Sequence, residues 1–289
     1  MRVPRTVPRA AGTWKEFWSV VEQPSVLVGH FAPDLDCITA IWLLKRFANA
    51  EGAELQFVPS GQTLGGFPAD SNPSVIHVDT GGGRFDHHQR SSTELCAAEL
   101  VRRAFIPNDT AIKKIVYHVC QIDNARQTSS DPSCLNVTAL IAGYNQIYPD
   151  SPAEVVAAML PNLDAWYRYE QCQAQALQAF AQRIEFDTPW GMGIAVESET
   201  GGSSTMAYSY GAVLYAYRDA RGWMGIAAQS RSAVDLSRVY AELCVIDAGA
   251  DWYLHPNRRL LLCGTAKSPP RSPSRLSLVE LVAVIENQR

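Results

Sequence analysis

The chain is 289 residues long and carries a formal net charge of −4. That length allows one large domain or two ordinary ones. The acidic balance counts against a protein that wraps long duplexes, because neutralising phosphates needs surplus Lys and Arg, although short charged substrates stay open. Seven cysteines without a C-x-x-C pair disfavour a zinc ribbon or a disulfide scaffold. They fit reduced thiols, most of them small core residues, in a cytoplasmic protein.

Residues 1–24 form an N-terminal extension, basic, without the apolar run of a secretory signal, and with a short helix expected around Trp14–Glu22. No apolar stretch approaches the ~20 residues a membrane helix needs, so no membrane partner is expected. SVLVGH (25–30) reads as a buried strand and CITAIWLLKRFANAEG (37–52) as a helix stopped by Gly52. AELQFVP (53–59) and SVIHVDT (74–80) read as the next two strands. Helical spacing follows over 92–105, 110–123 and 133–148, then over a long stretch, 151–186, that Pro161 should kink or interrupt. From about residue 188 the character changes. PWGMGIAVES, TMAYSYGAVLYAYRD and GWMGIAAQS are rich in β-formers and punctuated by Gly; RRLLLCG (258–264) adds a strand and LSLVELVAVIENQR (276–289) a closing helix. The expected class is α/β, with a mostly parallel sheet in a domain over 25–187 and a smaller α/β domain over 188–289.

Three polar clusters fall at the ends of these elements. GHFAPDLDC supplies His30, Asp34 and Asp36; VDTGGGRFDHHQ supplies Asp79, Asp86, His87 and His88; QIDNAR supplies Asp123 and Arg126. In open α/β sheets ligands bind beyond the carboxyl ends of the strands, so the clusters can converge. Carboxylates gathered this way repel one another unless one is protonated or cations are present. Mixed with imidazoles, they suit Mn²⁺ better than an all-oxygen calcium site or a cysteine-rich zinc site. Each piece also has a plainer reading. Asp36 could be only a helix N-cap, Asp79 could shape the turn before three glycines, His87 and His88 could face solvent, and Asp123 could be a solvated helix end. Their shared placement favours a metal site.

HFAPDLD resembles the first motif of the DHH phosphoesterase superfamily, VDT its second, DHH its name-giving third and IDNAR its fourth. The short gap between Asp79 and RFDHHQ is similar to the MYG-type branch of these RecJ-like exonucleases. The resemblance covers residues 30–126 and implies specific roles. His30 and Asp34 would hold one Mn²⁺, with Mg²⁺ the alternative ion. Asp36, His87 and Asp123 would hold a second, and Asp79 would bridge the two. His88 would meet the substrate phosphate, joined by Arg126, and Asp86 would orient a histidine ring. Water between the ions would attack phosphorus in line.

The glycine-rich GGGH-type motif that many such relatives carry in their second domain has no counterpart here. The nearest stretch is DAGADWYLHPNRRLLLCG (247–264), and QSRSAVDLSRV (229–239) is similar to the segment that precedes it in relatives. Residues 251–289 carry six Lys/Arg against three acids, either a clamp on a phosphate backbone or a solvated surface. Arg231, His255 and Arg258 are the candidate substrate contacts there. Tyr208, Tyr210, Tyr215, Tyr217 and Trp223, like Trp166, Tyr167 and Tyr169, have the spacing of core residues, though such rings can stack on bases. The expected activity is hydrolysis of phosphodiester bonds from one end of short or single-stranded nucleic acid, in a cleft between the two units. The alternatives are hydrolysis of a small phosphate compound (cyclic dinucleotide, pyrophosphate or short polyphosphate) and a non-catalytic nucleotide or metal sensor.

Overall fold

The computed structural model describes residues 23–90, 94–125, 136–198 and 203–288. The helix expected around Trp14–Glu22 lies outside them. Two compact units, one up to Glu170 and one from Gln171 on, divide within a long helix, whereas the composition changes only near 188.

In the first unit β1 (Val26–His30) is the middle strand of a three-stranded parallel sheet, flanked by β2 (Glu54–Val58) and β3 (Val75–His77). Leu27 and Val28 are fully buried, as a parallel strand covered on both faces requires. α1 (Leu35–Phe47) follows. Its start packs so close to the strand that a Cβ on Gly29 would lie 2.8 Å from Cys37 Sγ. The N-cap is Asp34 and not Asp36: the Asp34 carboxylate accepts from the N–H groups of Asp36 and Cys37, both at 3.0 Å. The helix ends before Gly52, because Asn49 turns left-handed at φ 55° and the N–H groups of Ala48 and Ala50 both return to the Leu44 carbonyl. Every residue from Leu35 to Leu44 is buried, so α1 is a central helix, covered on all sides. Around it pack α2 (Ala97–Phe105), α3 (Thr110–Asp123), α4 (Val137–Ile147) and the first half of α5 (Pro152–Ala181).

Pro161 does not interrupt α5, which runs through it for 30 residues. The proline and Ala157, whose carbonyl loses its N–H partner, are both exposed. The missing bond therefore falls on the wet side of the helix, where water can replace it. α5 also stops short of the stretch read as helical to 186, and Ile184–Thr188 is a strand, β4.

The second unit holds a six-stranded sheet in the order β4-β5-β6-β7-β9-β8, from β5 (Gly191–Glu197), β6 (Leu214–Arg218), β7 (Met224–Ala228), β8 (Tyr253–Leu254) and β9 (Leu260–Cys263). Only β5 and β6 pair in parallel. Residues 205–209, read with a strand, belong to a short helix, α6 (Ser203–Ser209); the turn at Gly211, φ 108°, separates it from β6. α7 (Ser237–Ile246) was not anticipated, and α8 (Leu278–Glu286) is the closing helix. One sheet face buries Leu214, Ala216, Met224 and Ile226 with α7 and α8, and the other buries Ile194, Val196 and Tyr215 with Ala207 of α6. The chain is thus mixed α/β with one parallel and one mixed sheet. No helix among the described residues is long and apolar enough to cross a membrane.

One polar contact ties α1 to α5. The Trp42 indole, fully buried, donates to Asp164 Oδ1 at 2.8 Å, and Arg46 forks onto the same carboxylate at 3.0 and 2.6 Å. Asp164→Ala strands the buried indole N–H and should cost about 1–3 kcal/mol, whereas Asp164→Asn keeps an acceptor and should cost less. Urea unfolding of both variants checks this; equal losses would show that the indole bond is not the deciding contact.

Candidate metal centre

The residues that end β1, follow β3 and close α3 come together around Asp79. Asp79 itself adopts a left-handed φ of 56°, rare for a residue with a side chain. It is buried, and its two oxygens face different partners: Oδ2 lies 3.3 Å from His30 Nε2, and Oδ1 lies 3.4 Å from His87 Nε2. The other His30 nitrogen, Nδ1, donates to the Phe31 carbonyl at 2.9 Å. That fixes the ring and directs Nε2 inward, as metal-binding imidazoles require. His87 Nε2 also lies 3.6 Å from Asp36 Oδ2 and 3.6 Å from Asp123 Oδ2. Asp34 Oδ1 stands 4.0 Å from His30 Nε2 while capping α1.

Asp36 is engaged twice. Its oxygens accept from Ala97 N and Ala98 N, at 2.6 and 2.8 Å, at the start of α2, and one of them also faces His87. Asp86 is buried and orients His88: Oδ1 takes the His88 N–H at 3.0 Å and Nδ1–H at 2.7 Å, while Oδ2 takes the Gly82 N–H at 2.8 Å. The His88 ring lies 4.4 Å from that of His87 and is 55% exposed, so it is the histidine open to a ligand.

All six candidate ligands are therefore close to one another. Three groups among the described residues could each hold an ion: Asp36, His87 and Asp123; Asp79, His87 and His88; and His30, Cys37 and Asp79. Cys37 is the residue sequence reasoning missed. In sequence it is one more core thiol, and its place beneath His30 depends on the missing side chain at Gly29.

The donor set fits a cation. Asp79 Oδ1 and His87 Nε2 are buried without a hydrogen-bond partner, which is costly for polar atoms unless something else meets them. Their spacing of 3.4 Å is long for a hydrogen bond. It is near the separation of two ligands sharing an ion at about 2.0–2.2 Å.

The charges are mutually perturbed. Burial, then the neighbouring Asp79 and Asp123, pushes Asp36 well above the usual carboxylate range. Burial lifts Asp123 to about 6, with Asp79 and Asp34 adding to it and His87 opposing. Burial disfavours a charge on His30, yet Asp79, the Phe31 carbonyl and Asp34 together raise it to about 9. The approach of Asp79 raises His87 to about 9 as well.

Of the other expected substrate contacts, Arg231, His255 and Arg258 belong to the second unit. Arg126 is outside the described residues. His255 and Arg258 build the β8–β9 turn: Arg258 N–H donates to the His255 carbonyl at 2.8 Å, its guanidinium reaches Asp235 at 3.2 Å, and its φ is 58°. Arg231 sits on an exposed turn of the same second unit.

A family model of the ChrB C-terminal domain matches residues 28–170. No curated protein matches the chain. An uncharacterized protein from Helicobacter pylori G27 is 12% identical, covering 92% of this chain and 99% of its own, with a TM-score of 0.27. An exopolyphosphatase-related protein from Bacteroides fragilis is 12% identical, covering 95% and 93%, with a TM-score of 0.24. Likenesses this low carry no argument about activity.

Metal binding requires both imidazoles bare, so it must displace protons held to about pH 9. Apparent Mn²⁺ affinity should therefore rise from pH 6 towards pH 9, as titration calorimetry across that range would show; a flat profile would contradict the assignment. The metal-free fold has the opposite dependence. Stability from the two raised imidazoles is complete below their ordinary pKa of about 6.5 and is lost as pH rises through about 9.

Proposed function

We propose that this chain is a metal-dependent phosphoesterase of the DHH kind, hydrolysing phosphodiester bonds at an end of short or single-stranded nucleic acid. The observation that supports it best is the split carboxylate of Asp79, with one oxygen toward His30 and the other toward His87. A carboxylate so placed suits two ions side by side. His30 and Asp34 would hold one, and Asp36, His87 and Asp123 the other. Two divalent ions, when bound, supply Lewis acidity at a phosphoryl oxygen and acidify water. Mn²⁺ suits the mixed carboxylate–imidazole set, and Mg²⁺ is the alternative.

The chain's own residues do the rest. Asp86 holds the Nδ1–H of His88, which leaves the Nε2 edge to meet a phosphoryl oxygen and offset charge developing on it. Asp79, buried and shared, keeps the two halves of the site in register. The substrate class rests on the resemblance of the four motifs to DHH phosphoesterases.

The two histidines should fail differently. His87→Ala should lower Mn²⁺ occupancy at least tenfold, while His88→Ala should keep the metal and lose about 10²–10³ in turnover. Metal content and hydrolysis, measured together on both folded variants, check this; retained activity in His87→Ala would refute the ligand assignment. A Mn²⁺-supplemented panel of end-labelled oligonucleotides, a cyclic dinucleotide, pyrophosphate and short polyphosphate tests the substrate. Shortening of oligonucleotides from one end is the expected result. Turnover of only the small compounds would replace the nuclease reading, and no turnover at all would end the enzyme reading.

A further inference from the structure

The face of the second sheet that packs α6 carries a cavity that the metal chemistry does not use. Along β6 the side chains alternate. Leu214 and Ala216 enter the core under α7 and α8, while Tyr215 and Tyr217 turn to the opposite face. There the two rings stack, 6.0 Å between centroids and 19° from parallel, with Tyr215 buried against Ala207 of α6 and Tyr217 half-buried at the cavity. Across the ladder Tyr215 pairs with Ala227 and Tyr217 with Gly225. A Cβ on Gly225 would sit 2.5 Å from Tyr217 Cε1, so the ring lies over a residue that has to be glycine. The result is a trough of about 350 Å³ with aromatic walls, Tyr215, Tyr217 and Trp223, and Ala227 on its lining.

The rim is polar. Ser204 and Thr265 bring hydroxyls, and Arg221 brings the sole cation of the lining. That guanidinium stacks on Trp223 at 3.6 Å and is bound through two nitrogens to Asp219 at 2.9 and 2.7 Å. Its charge is already matched, so the cavity does not favour an anion. Its hydroxyls do not favour a purely apolar chain. An aromatic lining favours an aromatic occupant, because rings attract one another in offset-stacked or edge-to-face arrangements.

The geometry points to a binding site for an uncharged planar heteroaromatic ring of nucleobase size, lying against Tyr217 and hydrogen-bonded at its edge by the rim hydroxyls. This goes beyond the phosphoesterase reading and does not depend on it, since the ring needs neither phosphate nor metal.

Adenosine is the probe, used with EDTA present so that the metal centre plays no part. Adenosine should bind the full chain saturably and quench Trp fluorescence, while ribose should do neither. Tyr217→Leu, which removes the contacting ring, and Ala227→Phe, which fills the trough, should each weaken binding about tenfold, within the range stacking on one ring supports. Photolabelling of the unmodified protein with 8-azidoadenosine should mark β6 and the β6–β7 turn, and it decides the matter even if neither variant folds. Absence of adenosine binding, label confined to other segments, or unchanged affinity in both folded variants would overturn the proposal.

Discussion

Asp79 is held in a backbone conformation that costs a residue with a side chain about 1–3 kcal/mol, and the loop around it is built to keep it there. Its N–H donates to the Phe85 carbonyl at 3.0 Å, and Val78 before it donates to Val28 at 2.9 Å. Thr80 after it is tied through its hydroxyl to Gly61 N–H and the Gln62 carbonyl. Asp86 closes the far end onto Gly82. A short loop bound at every corner can hold one carboxylate between two histidines from different elements. Ala32 and Ala125, in the first and fourth motifs, are left-handed as well, at φ 49° and 53°. Strain of this kind, concentrated beside one cluster of polar groups, is typical of a site whose geometry matters more than its stability.

The same cluster explains the electrostatics. Carboxylates crowded this closely raise one another's affinity for protons, and two imidazoles close by hold positive charge in compensation. A divalent cation would thus compete with protons for one set of donors. The helix α2 lends a third source of positive potential, because its first N–H groups point at Asp36.

Much of this was legible in the sequence because it depends on order along the chain. His30, Asp34 and Asp36 follow an apolar strand, Asp79 through His88 follow another, and strand ends in a parallel sheet share an edge. What escaped depended on atoms far apart in sequence. Asp36 can be read as the cap of α1, but Asp34 caps that helix and Asp36 instead meets the N–H groups of Ala97 and Ala98. Cys37 joins the cluster because Gly29 leaves room above it. In the second unit, residues 203–209 are too short a stretch for periodicity to separate helix from strand. The alternation of Tyr215 and Tyr217 was visible, but not that Gly225 and Ala227 stand opposite and leave a trough.

The double engagement of Asp36 bears on how such a chain can change over evolutionary time. His88 and Asp123 touch little besides the polar cluster, so a lineage that gave up the chemistry could lose them at small cost to folding. Asp36 also takes the first N–H groups of α2, whose start is buried, so a descendant without the proposed chemistry would still keep it. Among related sequences, persistence of an aspartate at this position therefore marks inheritance of the fold. The residues to inspect for inheritance of the chemistry are the ones the fold can spare.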